Sequence, residues 1–395
     1  AVSDSSESVF GRMPLLPGER EYGTLGANST CFAYGVATWC FLTGGYVAEL
    51  VGALEGLICL VAGNMIGVLL ASLPLSFACQ ENGLEQIDAC RPAFGPKGMV
   101  VVLVLYLINM IGWSGLILVM FGNGIRNIVA AFGFEAGDWI VSAGVALGIG
   151  LSFLVVTRGV AMLNRFNAII TPGLVALVIF LFYMLFVGHG WEAISQAEPL
   201  APGPSPLVNY LVAVELGIAS GFSWWGGIGF LARNTRTRRN AIFPEVIQLG
   251  FSAGAVCAAG TFSALVVQSS DPTEWMIPLG GVFLGVIALI FVALANVTST
   301  AVSVYASGLA LRHLRVFRGA QWKWVVVAAL FPCLPFVFWP GELSSMGDAF
   351  LAYNGTMYAP ISGILLVDYF FLRRRGVSLW SIFEDGENGL YYHVK

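Results

Sequence analysis

Long apolar runs alternate with short polar connections over most of this 395-residue chain. Most runs reach the roughly 20 residues that an α-helix needs to cross the hydrocarbon core of a bilayer. The pattern predicts an all-α polytopic membrane protein. Its ten predicted spans lie at 28–50, 54–78, 99–122, 139–156, 166–187, 207–231, 241–268, 280–309, 324–339 and 347–371.

Basic residues lie almost entirely in alternate connections between these runs. Of the 19 Lys and Arg residues, only Arg126 falls on the opposite side. Because basic residues concentrate in cytoplasmic loops, both ends of the chain are predicted to be cytoplasmic, in a multi-pass protein of the cell membrane. Composition agrees with this class, since 57% of residues are apolar and 11% are charged. The small net charge of −4 does not indicate a nucleic-acid partner.

Two predicted spans contain clusters of glycine and aromatic residues. The first span holds residues 34–39 and then Thr43-Gly44-Gly45, and the sixth holds residues 220–227. Discontinuous helices at matching positions of two successive sets of five point to inverted repeats around a site at mid-membrane. The alternative is that the glycines only allow close helix packing. The predicted organisation is a tail at 1–27, repeats at 28–187 and 207–371, an outer loop at 188–206 and an inner segment at 372–395.

A group of side-chain oxygens in the eighth span predicts a cation site. Asn296, Ser299 and Thr300 are three and four residues apart, which places them on one helix face. Hard cations bind oxygen ligands, and carbonyls of a broken helix nearby would complete the shell. Alternatively, the hydroxyls bond to carbonyls of their own helix.

Aromatic residues in the third and sixth spans predict a site for a flat ring. Asn109 and Trp113 lie four residues apart and share a helix face. Together with Trp224 or Trp225, Trp113 could bracket a ring whose polar edge binds the Asn109 amide. The alternative is a core tryptophan that bonds a carbonyl.

Glu215 is the candidate for proton coupling. It stands eight residues, or more than two turns, inside the sixth predicted span, where an ionisable group is costly and indicates a function. The alternative is that its carboxylate reaches water at the outer end of the span.

Several segments, taken in order, resemble the nucleobase-cation-symport-1 transporters, which include cytosine, hydantoin and allantoin permeases. They are Thr43-Gly44-Gly45, residues 91–98, 111–115, 360–364 and 367–370, and Arg373-Arg374-Arg375. The resemblance implies a leucine-transporter-like fold of five plus five inverted repeats, with broken first and sixth helices. It also implies cation-coupled uptake of a nucleobase or related heterocycle by alternating access. Members usually have twelve spans, so the last two family helices are expected to be absent from this chain.

The resemblance also assigns residues. It gives ring stacking to Trp113, and the substrate segment of the sixth span to Ser223, Trp224 and Trp225. It gives sodium binding to Asn296, Ser299 and Thr300, and a register slip of one residue would bring in Thr298. Ala37 and Thr38 fall where first-span backbone oxygens would complete the sodium site, and Thr38 is also assigned to the substrate. Sodium is the expected coupling ion, with a proton as the alternative, and no cofactor is expected.

Other classes of protein fit the sequence less well. A channel needs a continuous polar pore or a repeated filter sequence, and this chain has only isolated polar positions in its spans. The three His residues lie in predicted loops or span ends, and neither an HExxH nor a GxSxG motif occurs, which argues against an intramembrane enzyme. The remaining alternative is an amino-acid or amine symporter of the same fold, which would need fewer aromatic residues around its substrate.

Overall fold

The computed structural model describes residues 13–384 and 390–391, and these residues fold almost entirely into helices. The α-helices are α1 (Thr24–Gly35), α2 (Trp39–Ala48), α3 (Ala53–Asn82), α4 (Gln86–Ala131), α5 (Trp139–Thr157), α6 (Val160–Tyr183), α7 (Gly190–Gln196), α8 (Pro206–Ser223), α9 (Trp225–Arg233), α10 (Arg238–Pro244), α11 (Ala253–Val267), α12 (Pro272–Leu311), α13 (Trp322–Leu330), α14 (Pro335–Phe338), α15 (Pro340–Ser344), α16 (Gly347–Leu366) and α17 (Leu379–Phe383). Three π-helical turns extend them, at Met184–His189, Glu245–Ser252 and Val367–Leu372, and 3-10 turns lie at Pro17–Glu19, Arg315–Phe317 and Phe331–Cys333.

Membrane-spanning helices dominate the fold. Within the described residues, eight helical segments are long and apolar enough to cross a bilayer, and the bent pair α1 and α2 makes a ninth. The predicted span at 324–339 differs, because it consists of α13, a 3-10 turn and α14. Pro332 and Pro335 lie there, and proline lacks the N–H that a continuous helix requires. The chain is a multi-pass membrane protein.

The first and sixth spans are both interrupted. α1 ends at Gly35 and α2 begins at Trp39, and the axes of the two helices differ by 56°. The sixth span changes from α8 to α9 at Trp224 without a comparable bend. The predicted matching breaks are therefore present, although the first is much sharper than the sixth.

Two glycines show that the two sets of five spans fold alike. Gly95 interrupts α4 with φ 65° and ψ 179°, and Gly281 interrupts α12 with φ 69° and ψ 174°. Only glycine adopts such positive φ values without strain. Because α4 and α12 contain the third span of each set, both repeats enter that span through a short helix and the same turn.

Helix packing follows the same symmetry. α3 packs along α8, and its counterpart α11 packs along α2, while α4 packs along α12. This exchange of first and second spans between the sets is expected for two repeats related by a pseudo-two-fold axis.

Most of the glycines in the two interrupted spans serve close packing. Gly44 lies within α2, and a Cβ there would collide with the backbone of Cys257 and Thr261 in α11. A Cβ on Gly221 of α8 would lie 2.7 Å from Cα of Gly67 in α3. The break in the first span lies at residues 36–38, within the predicted segment 34–39, and the Thr43-Gly44-Gly45 segment lies inside α2.

The N-terminal segment lies across one end of the helix bundle. This end, which the basic residues predict to be cytoplasmic, is called the inner end below, and the opposite end the outer end. The N–H of Leu15 donates to the carbonyl of Gly83 (2.9 Å), and the N–H of Tyr22 donates to the carbonyl of Asn234 (2.9 Å). Arg233 donates to the carbonyl of Met13 (3.1 Å). Residues 13–22 therefore join the connection after α3 to the connection after α9.

Candidate functional site

Three tryptophans meet where the two interrupted spans face α4. Trp39, at the start of α2, packs edge-on against Trp113 of α4 with ring centroids 5.4 Å apart. It also packs edge-on against Trp224, at the interruption of the sixth span, with centroids 4.5 Å apart. The structure thus brings the predicted Trp113 and Trp224 to one cluster and places Trp39 between them.

Trp39 is a site residue that sequence reasoning did not select. The feature that could have identified Trp39 is its position, because it is the first residue of α2 after the break at residues 36–38. The cluster is extended by Tyr34, which lies 5.3 Å from Trp224, and by Phe350, which lies 5.6 Å from Trp113.

Trp225 faces a different neighbour from Trp224. Its ring stacks on Tyr358 of α16, with centroids 5.0 Å apart and an interplanar angle of 14°. Tyr106 of α4 packs on it at 6.5 Å. Of the two adjacent tryptophans, Trp224 therefore joins the cluster with Trp39, while Trp225 belongs to the contact between α9 and α16.

Buried polar groups lie beside these aromatic rings. Asn109 of α4 and Asn354 and Tyr358 of α16 are each fully buried. Their side-chain polar atoms have no hydrogen-bond partner among the residues that the structure describes, and the same holds for the indole N–H groups of Trp224 and Trp225. The Tyr358 hydroxyl lies beside the Asn109 amide without good hydrogen-bonding geometry. Unpaired buried polar groups cost about 1–3 kcal/mol each, so a cluster of them fits a ligand with a polar edge.

The predicted cation residues of α12 meet the break in the first span. The hydroxyl of Thr38 donates to Oδ1 of Asn296 over 2.5 Å, and both residues are fully buried. Thr300 lies one turn along the same face, and its buried hydroxyl has no partner within the described residues. Ser299 and Ala37 are half-buried. The structure therefore places Thr38 with the predicted cation residues, so that neutral oxygens from α12 and the break converge.

The hydroxyl of Thr298 forms hydrogen bonds within its own helix. It donates to the carbonyls of Leu294 (3.0 Å) and Ala295 (2.8 Å). This is the common back-bonding of threonine in helices, and it favours the register in which Thr300, not Thr298, offers a free oxygen. Ser223 behaves in the same way, because its hydroxyl donates to the carbonyl of Ala219 over 3.0 Å.

Glu215 does not reach the cluster. Its side chain is exposed on the outside of α8. The structure therefore does not bring this predicted proton-coupling residue together with the cation or aromatic groups.

A cavity at the outer end has a polar, acidic lining. It has a volume of 310 Å³ and is lined by residues of α2, α4, α15 and α16 and by residues 270–271, which precede α12. Three carboxyl groups border it, those of Glu49, Asp271 and Asp348, and Leu116, one turn beyond Trp113, forms part of its wall. Burial raises the pKa of Asp271, although the N–H and hydroxyl of Thr273 donate to its carboxylate and lower it.

At the inner end a histidine meets two carboxylates. Nε2 of His313 lies 3.3 Å from Oδ1 of Asp88 and 3.7 Å from Oε2 of Glu85. Burial raises the pKa of Glu85, and the nearby His313 opposes this shift. The sequence placed His313 at a span end, but gave no sign that the start of α4 lies against it.

Known structures share this architecture. Mhp1 in an inward-facing conformation matches with a TM-score of 0.82 at 17% identity, covering 96% of this chain and 83% of that one. Mhp1 in a closed conformation with bromovinylhydantoin bound gives 0.78 at 17% identity, covering 96% and 84%. MhsT in complex with L-phenylalanine gives 0.60 at 15% identity, covering 89% and 90%. These matches confirm the predicted leucine-transporter-like fold of two inverted repeats.

Curated relatives extend over nearly the whole chain. The hydantoin permease of Microbacterium maritypicum is 22% identical over 399 residues, which cover 96% of this chain and 78% of that protein. The cytosine permease of Escherichia coli strain K12 is 21% identical over 377 residues, covering 94% and 83%. A family model described as "Permease for cytosine/purines, uracil, thiamine, allantoin" matches residues 29–395. The resemblance to nucleobase-cation-symport-1 transporters is thereby confirmed, and the chain belongs to this permease family.

Proposed function

We propose that this protein is a secondary active transporter that takes up a nucleobase or a related flat heterocycle together with Na⁺. The observation that carries the proposal is the cluster of Trp39, Trp113 and Trp224 at the interrupted spans, beside buried polar groups and the oxygens of α12. The similarity to a hydantoin permease and a cytosine permease supports the substrate class.

The aromatic cluster suits a planar substrate. Indole rings offer large apolar faces on which a heterocycle stacks favourably. The amides of Asn109 and Asn354 offer both donors and acceptors to the edge of such a ring. Because Trp39 lies between Trp113 and Trp224, a ring that binds between those two must displace Trp39. Entry of the substrate is therefore tied to the position of α2.

The cation group suits Na⁺ better than a proton. Thr38, Asn296 and Thr300 supply hydroxyl and amide oxygens, which do not titrate near neutral pH, and Na⁺ is a hard cation that binds such oxygens. An ion held between α12 and the break would favour the conformations in which these elements are close. Substrate and ion are then coupled because each has a different affinity for the two conformations, and the coupling is reciprocal.

The distribution of charge supports an orientation. Basic residues gather at the inner end, and the positive-inside rule places that end in the cytoplasm together with both ends of the chain. The acidic cavity near Asp271 then faces the outside, where its carboxylates would raise the local concentration of cations.

The test is equilibrium binding to the purified protein. Quenching of tryptophan fluorescence is measured with a panel of nucleobases, hydantoins, amino acids and amines, with and without Na⁺ at constant ionic strength. Quenching by one flat ring that becomes tighter with Na⁺ supports the proposal. Quenching by amino acids or amines alone favours the other symporter class of this fold. Binding of a ring with the same affinity in the presence and absence of Na⁺ contradicts sodium coupling.

A further inference from the structure

A buried carboxyl group lies in the inner half of the seventh span and takes no part in the site described above. Glu245 begins the π-helical turn after α10 and is fully buried. It lies seven residues into the apolar segment 238–267, which corresponds to about 10 Å along a helix. A charge at such a position is costly, and ionisable residues within spans indicate a function by default.

The carboxyl group has one occupied oxygen and one without a partner. The hydroxyl of Ser76 in α3 donates to Oε2 of Glu245 over 2.5 Å. Oε1 has no hydrogen-bond partner within the described residues. Ser72 lies one turn from Ser76 on the same face of α3, beside this carboxyl, and its buried hydroxyl also has no partner there. A proton on Oε1 could be donated to Oγ of Ser72 and would satisfy both atoms.

Within the part of the chain that the structure describes, the neighbouring elements supply no cation to balance a carboxylate. α1 presents the thiol of Cys31 and α3 the thiol of Cys79. On α10, Arg238 is exposed and pairs with Glu81 over 2.6 Å. Arg233 of α9, which lies near Cys79, donates to the carbonyl of Met13.

The remaining packed element, α11, carries the thiol of Cys257, whose partners are Cys40 and Ser220. Among the described residues no ion pair includes Glu245. Because an unpaired charge in an apolar interior is strongly disfavoured, the neutral acid is the form that fits this environment.

Glu245 is also connected to α1, which forms the inner half of the broken first span. The π-helical turn packs on α1, and the side-chain amide of Gln248 in the turn donates to Oδ1 of Asn28 in α1 over 3.0 Å. A Cβ on Gly35 would lie 3.0 Å from the Gln248 carbonyl, so the contact is tight. Asn64 of α3 donates to the carbonyls of Leu249 (2.6 Å) and Gly250 (2.7 Å) and fixes the turn from the other side. Movement of α1 away from the turn would expose Glu245 to water.

We propose that Glu245 is a proton-binding site that holds its proton while the inner end is closed and releases it to cytoplasmic water when α1 moves away. The released proton passes to water, and the carboxylate that remains becomes hydrated. The inference rests on the proposed transport function, and it adds that opening of the inner end depends on cytoplasmic pH. An acidic cytoplasm keeps Glu245 protonated and favours the closed inner end.

Infrared difference spectroscopy tests the proton directly, with no transport involved. During a pH titration of the purified protein, the wild type should show the C=O stretch of a protonated carboxyl that persists at neutral pH. Glu245→Gln should lack this band, whereas Glu55→Gln, which changes an exposed carboxyl at the start of α3, should keep it. A neutral-pH spectrum that is the same with and without Glu245 overturns the proposal.

Variants of the two serines provide the test if Glu245→Gln does not fold. Ser76→Ala removes the hydroxyl that donates to the carboxyl, and Ser72→Ala removes the acceptor assigned to its proton. Each should shift the frequency of the protonated-carboxyl band, because hydrogen bonding lowers a C=O stretching frequency. A band that is unchanged in both variants would show that it arises elsewhere.

Uptake into proteoliposomes tests the coupling to conformation. The internal pH is varied while the external pH is constant, and the initial rate of substrate uptake is measured. Acidification of the interior should slow the wild type several-fold, and Glu245→Gln should show a flat profile. If Glu245→Gln keeps the pH profile of the wild type, the proposal is overturned. If the wild type takes up no ring compound at all, the proposed substrate is wrong, and the infrared measurement alone tests the role of Glu245.

Discussion

Trp224 and Trp225 show that the role of a residue depends on which neighbours its side chain faces. The two are adjacent in the chain, yet Trp224 contacts Trp39 and Trp225 stacks on Tyr358. Helical periodicity separates successive residues by about 100°, but it does not state which of them faces the interior when a helix is interrupted between them. The sequence therefore predicted the segment, and the tertiary contacts show that Trp224 faces Trp39 while Trp225 faces Tyr358.

The first prediction concerns ring stacking on Trp113. Trp113→Ala removes an aromatic face that contacts Trp39 and Phe350. An aromatic pair contributes about 0.5–1.5 kcal/mol beyond its buried area, so the affinity for the ring should fall by roughly tenfold. Isothermal titration calorimetry measures it. Trp324→Ala is the matched control, because Trp324 is 59% exposed and lies on α13, which carries no residue of the cluster. Equal affinities in the two variants would show that Trp113 does not bind the ring.

A second prediction compares two threonines of α12. Thr300→Ala removes a buried oxygen assigned to Na⁺ and should weaken sodium binding, and through it the sodium-dependent part of substrate affinity. Thr298→Ala removes a hydroxyl that only donates to its own helix and should leave both unchanged. Sodium titrations of substrate binding measure the difference. If Thr298→Ala had the larger effect, the cation site would have the alternative register, shifted by one residue, that includes Thr298.

At the scale of helices, the glycines of α3 and α8 set how closely the second and sixth spans approach. Gly221→Ala places a methyl group 2.7 Å from Cα of Gly67 and from N of Val68. Backbone atoms cannot yield as a flexible side chain can, so the helices must separate, at a cost of about 1–3 kcal/mol. The thermal unfolding temperature in detergent should fall.

The matched control for this substitution is Gly150→Ala in α5. A Cβ there meets nothing within 4 Å, and alanine is the better helix former, so stability should be unchanged or slightly higher. Equal losses in Gly221→Ala and Gly150→Ala would show that close packing of α3 on α8 does not limit stability.

The same helices show what patterns can predict at this scale. The apolar runs predicted nearly all of the spans correctly, because a helix needs a minimum apolar length to cross a bilayer. The segment at 324–339 was apolar enough, but its prolines divide it into α13 and α14. The break at residues 36–38 lies within the predicted segment 34–39, whereas Gly44 of the following Thr43-Gly44-Gly45 segment packs against α11. Glycine has both uses, and only the neighbouring helix distinguishes them.

At the scale of the molecule, the two ends differ. Residues 13–22 lie across the inner end and bond to two of its connections, while the 310 Å³ cavity lies at the outer end. Such an arrangement suits a protein in which access to a central site alternates between two sides.

The acidic outer cavity predicts a dependence on external pH. Because burial raises the pKa of Asp271 above its ordinary 3.8, this carboxylate loses its charge at a higher pH than a solvated aspartate. The attraction for cations therefore weakens as the external pH falls, and it begins to weaken at a higher pH than it would for a solvated aspartate. The apparent sodium affinity, measured by uptake at several external pH values, should decrease in that direction.

Asp271→Asn isolates this contribution to the pH dependence. The amide keeps an oxygen that can cap α12 but carries no charge, so the sodium affinity at neutral pH should be lower and its pH dependence shallower. Glu342→Gln is the control, because Glu342 is exposed and lies outside the cavity. A wild-type profile in Asp271→Asn would show that this carboxylate does not attract the cation.

The sequence by itself determined the class of protein, the approximate spans and the family resemblance, and it predicted the orientation. These follow from local properties, namely the length of apolar runs, the placement of basic residues and short motifs. Only the tertiary structure decided that Trp39 lies between Trp113 and Trp224, that Thr38 meets Asn296, and that Glu215 is exposed while Glu245 is buried. The physical reason is that a membrane helix is apolar on nearly every face, so its own pattern does not reveal which side chains meet another helix and which meet lipid.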